Sequence, residues 1–153
     1  MSTPDISKSV TVPVGPDEAF RIFTEAQWLP SAHTFLPDPV LIAMEPRAGG
    51  RFYERGADGT EVTRGTVLDW APPHRVVITW RIGANWRPVT DDEQASRIRA
   101  EFRPAGQDST ELVLTYTELD RHGDFAAQLR AAVEAGDPGE SLQNFANLAA
   151  RCR

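Results

Sequence analysis

The sequence predicts an α+β fold: a curved antiparallel sheet of about six to seven strands wrapped around a C-terminal helical segment. Three observations predict it. Segments with apolar residues at every second position recur through the middle of the chain, separated by short turns, and strands joined that way run antiparallel. Two stripes of helical spacing close the chain, one from Phe125 to Val133 and one from Leu142 to Ala149. The chain has 153 residues and no repeat, low-complexity tract or linker, so residues 1–153 are read as a single domain.

Val10, Val12 and Val14 alternate with Ser9, Thr11 and Pro13, a period of two that marks a strand with one buried face. Gly15 ends it. Pro16 suits a first helical position, and Asp17 and Glu18 sit where the helix dipole favours negative charge. The two carboxylates are therefore read as capping groups rather than as a catalytic pair. Ala19, Phe20 and Phe23 share one face of this short helix. Trp28, Leu29, Ala32, Phe35 and Leu36 show helical spacing again, and Pro30 restricts any helix there to one that begins close to it. A second short helix is expected, then the turn Pro37-Asp38-Pro39.

From Val40 to Thr117 the pattern is strands. Val40 to Met44 is a short apolar run, and Arg51 to Arg55 follows the turn Arg47-Ala48-Gly49-Gly50. Ala57-Asp58-Gly59 signals a hairpin. Val62 to Trp70 is a longer strand closed by Pro72-Pro73. Arg75 to Ile82 follows, with Val76, Ile78, Trp80 and Ile82 on one face. Gly83 to Gln94 is a polar loop carrying Trp86 and the acidic run Asp91-Asp92-Glu93, read as solvated surface. Ser96 to Arg103 alternates Ile98, Ala100 and Phe102 with charged residues, and the turn Pro104 to Ser109 leads to Leu112, Leu114 and Tyr116. Gly136-Asp137-Pro138-Gly139 interrupts the closing helical segment, with Asp137 as the expected cap of its second half.

Composition narrows the function. With 41% hydrophobic and 25% charged residues the chain is globular, and its formal net charge of −6 shows no basic patch for nucleic acid or for an anionic membrane. There is neither a basic, apolar leader nor a long apolar run, so no membrane span is read and the cytoplasm is the expected location. The single cysteine, Cys152, has no partner for an intrachain disulfide. No His-Glu-x-x-His, Cys-x-x-Cys or Gly-x-Ser-x-Gly is present, and His33, His74 and His122 stand alone. No catalytic residue, metal or cofactor is assigned.

The alternating faces require one side of the sheet to be covered, and only the terminal helices carry a stripe long enough to cover it. A twisted sheet closing over helices does not pack flush everywhere, and large side chains or a ligand fill the gap. The candidate ligand contacts are Trp28, His33, Phe35, Phe52 and Tyr53, then Trp80, Phe102, Tyr116, Phe125 and Leu129. Two positions stay open. Strand parity lets only one of Phe52 and Tyr53 point inward unless a bulge intervenes, and His33 is either a structural histidine or a polar group of the cavity. Burying about 300 Å² of apolar ligand at ~25 cal/mol/Å² supplies roughly 7 kcal/mol before association costs.

The stretch Glu45-Pro46-Arg47-Ala48-Gly49-Gly50-Arg51-Phe52-Tyr53-Glu54-Arg55, continued by Asp58-Gly59-Thr60-Glu61, Gly65-Thr66-Val67-Leu68, Pro72-Pro73-His74-Arg75 and Thr79-Trp80, resembles a known family. It is similar to the activator of heat-shock protein 90 ATPase homologue-like group of the START-related, birch-pollen-allergen-like superfamily. The resemblance implies a helix-grip fold with two short helices after the first strand and a long C-terminal helix. Trp28-Leu29-Pro30-Ser31-Ala32-His33 matches a Trp-x-Pro-x-x-His pattern of such relatives. Two positions depart from the family: Arg64 stands where many relatives have tryptophan, and Asp137-Pro138-Gly139-Glu140 where many have a Gly-Gly-Trp turn. The superfamily includes binders, cyclases and co-chaperones, so the fold alone does not choose among them. The first expectation is a monomeric or homodimeric binder of a small hydrophobic molecule. The alternatives are a cyclase- or hydrolase-type enzyme with His33 as general base, and a co-chaperone-like protein-binding module.

Overall fold

The computed structural model describes residues 5–29, 34–83, 89, 91–136 and 141–151. Seven strands form one antiparallel sheet: β1 (Ile6–Val12), β2 (Pro39–Met44), β3 (Arg51–Gly56), β4 (Glu61–Ala71), β5 (Arg75–Trp80), β6 (Ser96–Gly106) and β7 (Ser109–Thr117). Their order is β1-β7-β6-β5-β4-β3-β2, so β2 to β7 form a meander and β1 crosses over to close its far side beside β7. Helix α1 (Pro16–Thr24) follows β1; α2 (Ala126–Ala135) and α3 (Ser141–Arg151) end the chain. The helices and the concave face of the sheet enclose the core, and α3 packs against β1 and α1.

The patterns act locally as expected. Pro16 opens α1 with Asp17 and Glu18 in its first turn, and Ala19, Phe20, Ile22 and Phe23 form its buried face. On β5 the residues Val76 and Ile78 are buried, and on β6 Ala100 and Phe102 are. The rings of α1 lock one end of the core. Phe20 meets Trp70 and Phe102 edge-on at 5.1 and 5.3 Å, and Phe23 stacks on Trp28 at 5.1 Å and meets Phe145 of α3 at 6.1 Å. Each such pair adds roughly 0.5–1.5 kcal/mol beyond its burial.

Several boundaries move. The first strand begins at Ile6 because Ile6 and Lys8 continue the pairing with Tyr116 and Leu114. Residues 25–29 form turns rather than the start of a second helix, and residues 30–33, on which the rest of that helix was expected, lie outside the described residues. β5 ends at Trp80, and the Ile82 N–H turns back to the Trp80 carbonyl at 2.9 Å. β6 runs past Arg103 to Gly106, with Pro104 next to a bulge, where a missing N–H costs the ladder little. The C-terminal helical segment is broken as expected, α2 ending before Gly136 and α3 starting at Ser141; Asp137 and its capping role lie outside the described residues. Among the described residues no helix is long and apolar enough to cross a membrane.

Candidate ligand-binding site

Strand parity decides which residues meet the interior. On β3 Phe52 and Glu54 are buried and face the helices, while Arg51, Tyr53 and Arg55 alternate outward. Tyr53 therefore belongs to the outer face, where the Arg51 and Arg55 guanidinium groups lie 4.4 and 5.7 Å from its ring centre. This corrects its expected place in the cavity: the bulge that the nearby glycines suggested falls on the neighbouring strand. Phe52 pairs with Gly65 and Tyr53 with Thr63, so Arg64 is the extra residue on β4. A bulge re-aims the residue it inserts, and Arg64 is turned inward to pair with Glu54.

Glu54 is completely buried. Its carboxylate accepts the N–H of Phe35 at 3.0 and 2.8 Å and the N–H of Leu36 at 2.9 Å, in addition to the Arg64 guanidinium. The segment after residue 33 is thus tied to the middle of β3. The Arg64 guanidinium lies 4.4 Å from the Phe35 ring centre and 5.3 Å from that of Phe52. Burial makes the arginine harder to keep protonated and lowers its pKa, while the bond and charge of Glu54 act in the opposite sense.

The other expected contacts separate into groups. Trp28 and Phe102 lie in the packed ring cluster beside α1, and the Trp28 indole N–H donates to the Phe23 carbonyl at 2.8 Å. Trp80 lies 5.4 Å from Tyr116 on the concave face, and Phe125 and Leu129 are buried below the sheet. His33 lies outside the described residues.

Ile98 and Trp80 are only partly buried although they face the concave side of the two central strands. Ile98 is the telling case. Its cross-strand neighbours Ile78 and Tyr116, and Ser96 and Ala100 on its own strand face, are all buried. Ile98 thus keeps uncovered surface on the concave face although its direct partners there are covered. A separate open groove of about 580 Å³ runs along the free edge of β2, between Val40, Ile42 and Met44 and the end of α1 at Thr24, Glu25 and Ala26. Among the described residues no aromatic side chain lines it.

Two polar knots hold the ends of the strands. Asp92, expected as solvated charge, accepts the hydroxyls of Thr66 at 2.7 Å and Thr79 at 3.0 Å and the Arg81 Nε–H at 2.7 Å. Burial opposes its ionisation, but the bonds from Arg81, Thr66 and Thr79 outweigh that and hold the carboxyl below its usual range. His122 lies in the 3-10 segment Leu119–Phe125, where its Nε2 accepts the Ser96 N–H at 3.0 Å and sits 2.8 Å from Ser96 Oγ. Nε2 is then the acceptor and Nδ1 carries the proton of the neutral ring.

Burial pushes the His122 imidazole below its usual 6.5, with the nearby Ile82 carbonyl acting the other way. The unfolded chain takes up a proton first, so the stability that neutral His122 confers is present above pH 6.5 and lost as pH falls toward the lower folded value. The loss has a slope of at most ~1.4 kcal/mol per pH unit, reduced by the ring's solvent access. His122→Gln keeps an acceptor for Ser96 without titrating. Urea unfolding from pH 7.5 to 5 is expected to show the wild type losing stability relative to this variant; parallel profiles would remove His122 as the cause.

Glu54, Arg64, Ser96 and His122 were not among the expected site residues. Parity identifies Glu54 as soon as Phe52 is placed inward, because residues two apart share a face. No sequence signal reveals Arg64, whose direction depends on the bulge.

A seven-stranded half-barrel closed by terminal helices, with an aromatic concave face, is the architecture of the helix-grip class. The chain belongs to the family of activator of Hsp90 ATPase homolog 1-like proteins, whose sequence model matches residues 13–137. The structure of Txn09, an anthrahydroquino-gamma-pyrone synthase, is similar with a TM-score of 0.63; the two chains are 42% identical over 95% of this one and 97% of the other. CalC, a self-sacrificing resistance protein from Micromonospora echinospora, is 28% identical over 95% and 94% of the chains with a TM-score of 0.68. A protein of Nitrosomonas europaea shares the fold at 17% identity, over 99% and 100% of the chains, with a TM-score of 0.64. No match was found among curated proteins.

Proposed function

We propose that this protein binds a small apolar or aromatic molecule in the hollow over β5 and β6, between Trp80, Ile98 and Phe52 and the terminal helices. The observation that carries this reading is the partial exposure of Ile98 and Trp80 on the concave face, although the direct cross-strand partners of Ile98, Ile78 and Tyr116, are buried. Interiors are close-packed, and a void of ligand size costs stability unless something fills it. The aromatic lining suits a planar ligand, which gains most of its affinity from burial.

Ile98→Trp tests the hollow directly. An added indole is expected to fill it at a cost below ~1 kcal/mol and to abolish binding of the neutral fluorescent probe N-phenyl-1-naphthylamine. In a packed core the same change costs roughly 1–3 kcal/mol or more. The wild type is expected to bind the probe with a Kd of about 1–10 µM and with quenching of tryptophan emission. A wild type that neither binds the probe nor melts higher in its presence, together with a strongly destabilised Ile98→Trp, would rule the hollow out.

A second reading is favoured by the 42% identity to a protein described as a synthase. On that reading the chain transforms a polycyclic aromatic substrate in the same hollow, with His33 as general base. General-base catalysis requires a group within hydrogen-bond reach of the proton it removes. His33→Ala that retains full turnover of such a substrate would exclude this role.

A further inference from the structure

This inference rests on the hollow proposed above and concerns what its ligand carries. On β3, β5 and β6 the arginines 51, 55, 75, 97, 99 and 103 alternate with inward residues and belong to the outer face. Among the described residues of the seven strands, Arg64 is the one arginine turned to the concave side, and the bulge on β4 puts it there. The two members of its ion pair differ in access: the Glu54 side chain keeps no exposed surface, whereas Arg64 keeps 9%. Glu54 is held by the Phe35 and Leu36 N–H groups and keeps no surface, so Arg64 is the member of the pair with surface left to meet another molecule. The Phe35 and Phe52 ring centres lie 4.4 and 5.3 Å from its guanidinium and limit its freedom to move.

We propose that Arg64 is the specificity-determining residue of the hollow, selecting planar aromatic ligands that carry an acidic or strongly accepting oxygen, which the guanidinium binds while the rings lie along Phe52, Trp80 and Ile98. A guanidinium is a planar donor array matched to such oxygens, and less mobility is lost when it is already fixed. Its charge also acts strongly where water is excluded. The pair is neutral overall, so the unliganded protein keeps no uncompensated buried charge. Were the pair only an anchor for the segment at Phe35 and Leu36, removing its charge would leave ligand preference unchanged.

Two probes share one ring skeleton and differ by a sulfonate: 8-anilinonaphthalene-1-sulfonate and N-phenyl-1-naphthylamine. The wild type is expected to bind the sulfonate at least about tenfold more tightly. Glu54→Gln with Arg64→Met removes both charges at nearly constant volume. In that double variant the preference is expected to fall by about tenfold, while affinity for the neutral probe changes by less than about threefold. A folded double variant that keeps the wild-type preference overturns the proposal, as does a wild type that prefers the neutral probe. Arg64→Lys retains the charge without the planar fork and serves if the double variant does not fold; its preference is expected to fall by about threefold, and an unchanged preference overturns the proposal. Binding of the neutral probe with no effect of Arg64 defeats this inference alone, whereas binding of neither probe by the wild type defeats the hollow itself.

Discussion

Replacing Glu54 by alanine is expected to destabilise the protein by about 3–5 kcal/mol, the largest loss of any side-chain truncation considered. The carboxylate is completely buried and is the counter-charge of Arg64, which itself keeps only 9% of its side-chain surface. Removing it leaves a buried cation uncompensated and deprives the Phe35 and Leu36 N–H groups of their acceptor. Each orphaned donor costs roughly 1–3 kcal/mol, though the terms do not add, because the freed segment relaxes toward water. The double variant Glu54→Gln, Arg64→Met leaves no charge behind and is expected to recover most of the loss, as exchanges of buried pairs for apolar groups often do. Urea unfolding with unchanged m-values checks both. A Glu54→Ala midpoint that places the loss below about 1 kcal/mol would show that the pair is solvated and not the anchor described.

Gly65→Ala is expected to cost about 3 kcal/mol or more, lowering the melting temperature by roughly 6–12 °C. An added methyl there falls well inside normal contact with the Thr79 carbonyl oxygen and lies 3.1 Å from its hydroxyl. The obstacle is backbone, so no rotamer change relieves it, and β4 and β5 must separate. Separation also strains the bond from the Thr66 N–H to Thr79 Oγ1 at 2.8 Å and the Asp92 knot that Thr79 supports. Gly59 is the control. Its φ of +89° disfavours a side chain but nothing lies within 4 Å of the added carbon, so Gly59→Ala is expected to cost only about 1–2 kcal/mol. Equal melting temperatures for the two variants would refute close approach as the reason for Gly65.

The strands, the first helix and the broken helical end were legible because each rests on local periodicity. Ile98, Ala100 and Phe102 share a face whatever the rest of the chain does, and Pro16 opens a helix on its own. Trp28 was legible as apolar but not as part of the packed end, since its ring stacks on Phe23 and its place depends on α3. Tyr53 was misplaced because alternation assigns a face only when the register is known. Asp92 read as solvent charge because its partners, Thr66, Thr79 and Arg81, are 11 to 26 positions away in sequence.

By itself the sequence determined the fold class, the order of the strands and the family, because these follow from patterns two to four residues long and from a motif spread over most of the chain. Only the tertiary structure decided which face Tyr53 takes, that Ile98 stays partly uncovered on the concave face and that Arg64 turns inward to Glu54. The physical reason is the bulge on β4. One unpaired residue on β4 reverses the direction of a side chain, and no local pattern encodes the register that creates it.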